Sequence, residues 1–309
     1  MVPQDIYIVV DHQLVKRHTL TIMAETNTST IQPKAEKHTS RLTAFTEWIN
    51  MKKVLMGYTL LFVLYLYLPM ISLFLFSLNA GGLTFPVTAF TLDWYYQLFS
   101  NTKLISAIVF SLKLAAVTTV ITTILSTAAA LAYRREFRGK RVLLYVFILG
   151  IIVPGVTYGI SSLLLFQEFL NLSAGFWLAV PVEVVWTFPF GLIILLAGFP
   201  PNLAENERAA RVMGASPWTV FKQITFPQIW PTILGSALFA FTLAYNETSR
   251  SILLTGSRST MSNQVFVITN QISPTPELFA LGSITTVIST VLLLAAALLI
   301  FDFPTPFGE

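Results

Sequence analysis

Five ionisable side chains interrupt the long apolar stretches of this sequence: Lys113, Glu168, Glu183, Glu247 and Arg250. A charge in such a stretch is costly, and it is retained where it pairs, lines an aqueous path or meets a ligand. Glu247 and Arg250 stand three residues apart, the spacing at which two side chains on one helix neutralise each other. The pair therefore reads either as an internal ion pair or as part of a site. Glu183 lies between Pro181 and Pro189 and has no obvious partner on its own helix. It reads as a cation contact, with a helix-to-helix hydrogen bond in the protonated state as the alternative. Trp177, Trp186 and Tyr245 lie close by in sequence, and an amine is held by carboxylates together with aromatic faces. Asn246 beside Glu247 adds a polar neighbour. Lys113 and Arg250 dilute the acidity and keep zwitterionic or anionic solutes, such as amino acid derivatives or aminophosphonates, open. Nucleophilic and metal chemistry find little to work with. The chain has no cysteine, and His12, His18 and His38 all lie in its first forty residues. An enzyme embedded in the membrane is the weakest reading.

The elements that position these residues are set by lipid. Hydrophobic residues make up 54% of the chain and charged ones 11%, with a mean hydropathy of +0.70. Those values are far from soluble averages. A net charge of +4 is too small to argue for nucleic acid. Long apolar runs predict six spanning helices, over Val54–Leu78, Leu104–Tyr133, Val142–Leu170, Gly175–Gly198, Ile229–Leu254 and Phe279–Phe301, each long enough for a bilayer. Pro154-Gly155, Pro181 and Pro189 predict kinks. Ala115, Ala116, Ser126, Ala128, Ala129 and Ala130 mark the second span as a packing face. Residues 1–50 differ in kind. Residues 1–53 hold twelve of the 34 charged residues (19 basic plus 15 acidic), which predicts a polar, disordered extension. Met51-Lys52-Lys53 resembles a natural start, with residues 51–309 as the transmembrane domain. No role is assigned to residues 302–309.

Orientation follows from the basic residues of the short loops. Arg134, Arg135, Arg138, Lys140 and Arg141 follow the second span, and Arg208, Arg211 and Lys222 lie between the fourth and fifth. Only Lys103 and Arg258 lie in the opposite loops. Both basic loops and both termini are expected in the cytoplasm. No Gly-x-x-x-x-Gly-Lys-Ser/Thr stretch is present, so nucleotide binding through a P-loop of its own is not expected.

The loop 199–229 is amphipathic where its surroundings are apolar. Asn202 and Glu205 are spaced as a capping box, and the helix they open reaches about Met213, roughly 18 Å. Leu203, Ala210 and Met213 form its apolar stripe, with Glu205, Glu207, Arg208 and Arg211 around the rest. Gly214 suits a left-handed helix end, and Ser216-Pro217 restarts a short second helix. Pro227 and Pro231 are expected to end the unit. On physics alone this is a two-faced elbow on the aqueous side, or a hairpin resting on the membrane surface.

Its letters resemble the EAA loop of binding-protein-dependent ABC transporter permeases. Ala209, Ala210, Gly214, Ile224 and Pro227 stand at matching positions, while Arg208 and Phe226 replace the usual glutamate and leucine. Glu207 stands one place before Arg208. The resemblance extends over most of residues 54–300. It rests also on Leu92-Asp93-Trp94-Tyr95, Phe137-Arg138-Gly139-Lys140, Val153-Pro154, Gly214-Ala215-Ser216-Pro217-Trp218 and Leu254-Thr255-Gly256, which look like the spermidine/putrescine-type branch. It implies an all-α membrane protein like a type I ABC importer, with six transmembrane helices and a cytoplasmic coupling helix between the fourth and fifth. It implies a pore-forming, non-catalytic subunit of a bacterial inner-membrane importer. Its partners would be a second permease chain, two ATPase subunits carrying ATP and Mg, and an extracytoplasmic solute-binding protein. Glu207, Arg208, Ala209, Ala210, Arg211, Gly214, Ala215, Ser216, Pro217, Ile224 and Pro227 would receive the ATPase. Lys113, Glu183, Tyr245, Asn246, Glu247 and Arg250 would line the solute's path. The competing transport reading is a self-contained secondary transporter, which calls for an internal repeat that the sequence does not display.

Overall fold

Apolar runs in lipid have to satisfy their own backbone groups, and here they do so as helices. The computed structural model describes residues 51–271 and 275–301. The polar extension 1–50 and the chain end 302–309 lie outside the described residues. The helices are α1 (Met51–Leu78), α2 (Asp93–Ser100), α3 (Thr102–Tyr133), α4 (Lys140–Ile152), α5 (Gly155–Leu170) and α6 (Phe176–Gly198). They continue as α7 (Leu203–Val212), α8 (Pro217–Val220), α9 (Phe226–Tyr245), α10 (Met261–Gln271) and α11 (Pro276–Phe301). Residues 51–64 are the described part of a first unit, in which the Tyr58 and Phe62 rings stack at 6.4 Å. The rest of the chain forms the second.

Among the described residues five helical segments are long and apolar enough to cross a membrane, and the bent pair α4–α5 brings the number to six if it counts as one. The expected third span is therefore not a continuous helix but two helices turned by 106°. Proline explains the break. Pro154 has no N–H to donate and drives the residue before it out of the helical region. Val153 is extended, at φ −65° and ψ 127°, and Pro154 follows at φ −57° and ψ 127°. Pro181 and Pro189 are carried inside α6 without ending it.

α3 packs most extensively on α6 and α9, and α9 on α11. The seam of α3 consists of Ala115, Thr118, Thr122, Ser126, Ala130 and Tyr133, all buried, at the three- and four-residue steps of one helix face. Ala116 and Ala128 are exposed, so the packing face is rotated from the one expected and is more polar. Thr122 Oγ1 and Thr187 Oγ1 lie 2.7 Å apart across it. A Cβ on Gly191 would stand 2.9 Å from Ser126 Oγ, the close approach that small residues permit between membrane helices. Between α6 and α9, Thr232 Oγ1 donates to the Gly198 carbonyl at 3.0 Å. At the opposite end a hydroxyl chain joins three elements. Ser77 Oγ lies 3.0 Å from Tyr95 OH, which lies 2.8 Å from Ser283 Oγ.

The expected fifth span also changes. Its helix stops at Tyr245, and residues 246–258 form turns, so Glu247 and Arg250 lie beyond the helix rather than on it.

Candidate functional site

The elbow begins without the expected capping box. The Asn202 side chain makes no cap, and its carbonyl instead accepts the N–H groups of Glu205 and Asn206 at 3.0 and 3.1 Å. α7 buries Leu203, Glu207 and Ala210, one stripe at steps of four and three. Met213 is 82% exposed and Val212 88%, so the stripe ends before Met213. The helix closes as the sequence predicts. Gly214 takes φ +87°, its N–H donates to the Arg211 carbonyl, and Ala215 N–H donates to the Ala210 carbonyl, both at 3.0 Å. This doubly bonded left-handed end satisfies the Ala210 and Arg211 carbonyls of the last turn. Ser216 Oγ then accepts the Thr219 N–H at 3.2 Å, with Pro217 in the first turn.

From Pro217 the chain runs without interruption. α8 passes through a π-helical turn, Phe221–Thr225, into α9, a continuous helical segment of 29 residues. Pro227 and Pro231 therefore do not end the unit. Pro227 directly follows the π turn within this continuous segment. The consequence is mechanical: a displacement of the elbow acts on the base of the fifth span through hydrogen-bonded helix, not through a loop.

Glu207 holds the elbow to the body. Its two carboxylate oxygens accept from Arg134 Nη1 and Nη2 at 2.7 and 2.8 Å, and Oε1 also accepts from Thr225 Oγ1 at 2.6 Å. Arg134 caps the C-terminus of α3, so one carboxylate ties together α3, α7 and the π turn. Burial alone would push that carboxyl up. The hydrogen bonds from Arg134 and Thr225, with the charges of Arg134 and Arg211, outweigh burial and hold it below the usual carboxylate range. Arg208, one residue on, is exposed, with its Nε donating to the Ala204 carbonyl at 3.2 Å. The buried acid of the loop is thus Glu207. Arg208, Ala209, Arg211, Gly214, Ser216 and Pro217 form the exposed face, with Ala215 and Ile224 half-buried and Pro227 exposed on the following helix.

A second cluster lies around Arg250. Its backbone N–H and Nη1 donate to Glu247 at 2.9 and 3.3 Å, so the pair is formed, although in a turn. Nη2 donates to the Val153 carbonyl at 3.2 Å, capping a group that the break in the third span leaves free. The guanidinium carbon stands 3.5 Å from the centre of the Trp186 ring. Gly159 permits this approach, since a Cβ there would come within 2.7 Å of the Arg250 carbonyl oxygen. Glu183, wholly buried, has both carboxyl oxygens without a hydrogen-bond partner among the described residues. Glu247 and Arg250 both act on it electrostatically.

Other expected members lie elsewhere. Tyr245 is buried among Leu98, Leu104, Met261 and Leu281, with its hydroxyl directed at Met261 Sδ at 3.4 Å. Asn246 donates to the Thr242 carbonyl and to Ser289 Oγ. Trp177 and Glu168 are exposed, and Lys113 lines a separate cleft. Sequence reasoning missed Arg134 as the partner of Glu207 and the Val153 carbonyl as a ligand of Arg250. Only the proline break hinted at the second.

Known proteins place these features. The family model described as "binding-protein-dependent transport system inner membrane component" matches residues 123–303, more than half of the chain. The spermidine/putrescine transport system permease protein PotC of Escherichia coli (strain K12) is 29% identical over 243 residues, covering 77% of this chain and 90% of PotC. The putrescine transport system permease protein PotI of the same organism is 28% identical over 242 residues, covering 75% and 83%. The trehalose transport system permease protein SugB of Mycobacterium tuberculosis (strain CDC 1551 / Oshkosh) is 27% identical over 223 residues, covering 72% and 80%. A crystal structure of a bacterial ABC transporter involved in alginate import superposes with a TM-score of 0.62 at 19% identity, over 83% of this chain and 97% of that one. At that identity the likeness speaks for fold alone. With a helical membrane body, an elbow joined directly to a span, and a family match over both, this chain belongs to the binding-protein-dependent transport system inner membrane components, the permease subunits of ABC importers.

Proposed function

We propose that this permease imports polyamines or a related amine-bearing solute, and that its elbow receives an ATPase subunit in the cytoplasm. ATP and Mg are held by two such partners, a second permease chain completes the pathway, and an extracytoplasmic binding protein delivers the solute. Both termini lie in the cytoplasm of a bacterium whose inner membrane holds the chain. PotC and PotI, named for these solutes, support the solute class through their coverage. ATP-driven closure of the ATPases would rotate the elbow, and the unbroken helix from Pro217 to Tyr245 would carry that motion toward the Arg250 cluster as rigid-body switching.

One observation carries the amine reading: the chain already holds a cation in a cage of carboxylate, aromatic ring and backbone carbonyl, supplied by its own Arg250. An ammonium group recognises the same three partners. Glu247 pairs with the guanidinium, and the wholly buried Glu183 keeps both carboxyl oxygens free of hydrogen-bond partners among the described residues, which leaves acceptors for a further ammonium group. Arg250 acts in this reading as a tethered occupant that a passing amine displaces.

The test is ATP hydrolysis by the reconstituted assembly across putrescine, spermidine and a panel of amino acid derivatives. Putrescine or spermidine should stimulate. Glu247→Gln and Trp186→Leu should lower that response with the basal rate retained. Stimulation by amino acid derivatives alone, or an unchanged response in both variants, overturns the reading.

A further inference from the structure

Lys113 is a charge inside an apolar span that neither the elbow nor the Arg250 cluster engages. It is exposed on α3, and a cation so placed is kept where an aqueous path or a ligand meets it. Lys103 and Arg258, 155 positions apart in sequence, share its cleft of about 600 Å³. Both are exposed, and among the described residues none of the three cations is in an ion pair. Ser106, Ser257 and Ser259 add hydroxyl groups, and among the described residues no acidic side chain lines the cleft.

Depth tells which anion fits. α3 has 32 residues, about 48 Å, against a hydrocarbon core of about 30 Å. Upright and centred on the bilayer, it overhangs that core by about 9 Å at each end. Lys103, in the first turn, then stands outside the hydrocarbon, and Lys113 falls about 7 Å inside it, a depth from which lysine snorkels back to headgroup level. Beyond Lys113 the same stripe turns apolar and stays uncovered. Val120 is 59% exposed and Ile124 63%, at steps of seven and then four residues. Cations at phosphate level above an open apolar track match the two ends of a phospholipid. Three like charges repel the amine proposed above, and a second copy of this chain meeting the stripe with its own would set cation against cation. We propose that this cleft holds the headgroup of an anionic phospholipid in the leaflet opposite the elbow. Its phosphate lies among Lys103, Lys113 and Arg258, and an acyl chain follows Val120 and Ile124. The site is the same whichever solute is carried and whichever side of the membrane the elbow faces.

The experiment uses the assembly purified from its membrane through this chain. It is equilibrated in detergent with equal amounts of phosphatidylglycerol and phosphatidylcholine of the same chain length, and native mass spectrometry reads which lipid stays bound. The wild type should retain phosphatidylglycerol preferentially. Lys103→Gln, Lys113→Gln and Arg258→Gln should each lower that preference about fivefold, the effect of one basic residue at an anionic lipid surface. Lys113→Arg, which keeps the charge, should hold it. Arg138→Gln, an exposed cation at the other end of α3, should leave it unchanged. A bound lipid also stabilises the fold it binds. The wild type should therefore melt higher in phosphatidylglycerol nanodiscs than in phosphatidylcholine ones, and the gap should shrink when Lys113→Gln and Arg258→Gln are combined. Equal retention of the two lipids by the wild type overturns the proposal. So does a loss from Arg138→Gln as large as from Lys113→Gln, which would mean diffuse attraction to any basic surface. Binding of inorganic phosphate in the cleft without any lipid preference overturns it as well, and assigns the cations to a soluble anion instead.

Discussion

Replacing Glu207 by alanine tests whether one carboxylate locks the elbow. The substitution leaves the Arg134 guanidinium, 23% exposed, without a bidentate partner that is itself 11% exposed, and leaves the Thr225 hydroxyl without its acceptor. Breaking a fully buried pair from one side costs about 3–5 kcal/mol, whereas fully exposed pairs contribute about 0.2–1 kcal/mol. Bidentate geometry and slight exposure put this case at about 2–3 kcal/mol. That is roughly a 30- to 150-fold loss in the population of the docked elbow, at a factor of ten per 1.4 kcal/mol. Two assays read it. The melting temperature of the detergent-solubilised chain should fall by roughly 3–5 °C on the scale expected for a chain of this size. In the reconstituted assembly, solute-stimulated ATP hydrolysis should fall further than basal hydrolysis. Arg134→Met should do the same, and the double variant should lose much less than the sum of the two, since both remove one interaction. Arg208→Ala, on the exposed side, should leave the melting temperature unchanged. Equal melting of Glu207→Ala and the wild type, or full additivity in the cycle, would refute the lock.

The same lock predicts a pH dependence. The folded pKa of Glu207 is depressed, so its contribution is fully present above the ordinary value of 4.5 and is lost as pH falls through the lowered folded value. The melting-temperature gap between the wild type and Glu207→Gln should be constant from neutral pH down to the ordinary value of 4.5 and close between there and the lowered folded value. At the junction of α6 and α9, Gly198→Ala would place a Cβ 2.4 Å from Thr232 Cγ2, an overpacking that costs about 1–3 kcal/mol. Thr232→Ser, which removes that methyl, should recover part of the lost thermal stability. Gly214 has open space around its Cβ position, so only its φ of +87° resists substitution. Gly214→Val should lose ATPase co-purification while the chain still inserts, and Gly214→Asn should retain more, because asparagine tolerates this backbone region better.

The sequence by itself determined what depends on neighbours a turn or a bilayer's width away. Length and polarity of the runs placed the spans, Gly214 and Ser216-Pro217 placed the turn of the elbow, and Pro154 placed the break, although not its 106° severity. Such features arise from local backbone geometry and from lipid as solvent, and both are written along the chain. Tertiary structure decided which side of each helix counts. Glu207 and Arg208 are adjacent letters, yet a helix turns each residue about 100° from the last, and only packing against Arg134, 73 positions away, assigned one to the interior and the other to the surface. Likewise Glu247 and Arg250 had the spacing of a helical pair. Their place in a turn, stacked on Trp186 and bonded to Val153, follows from how distant helices meet, which no local pattern encodes.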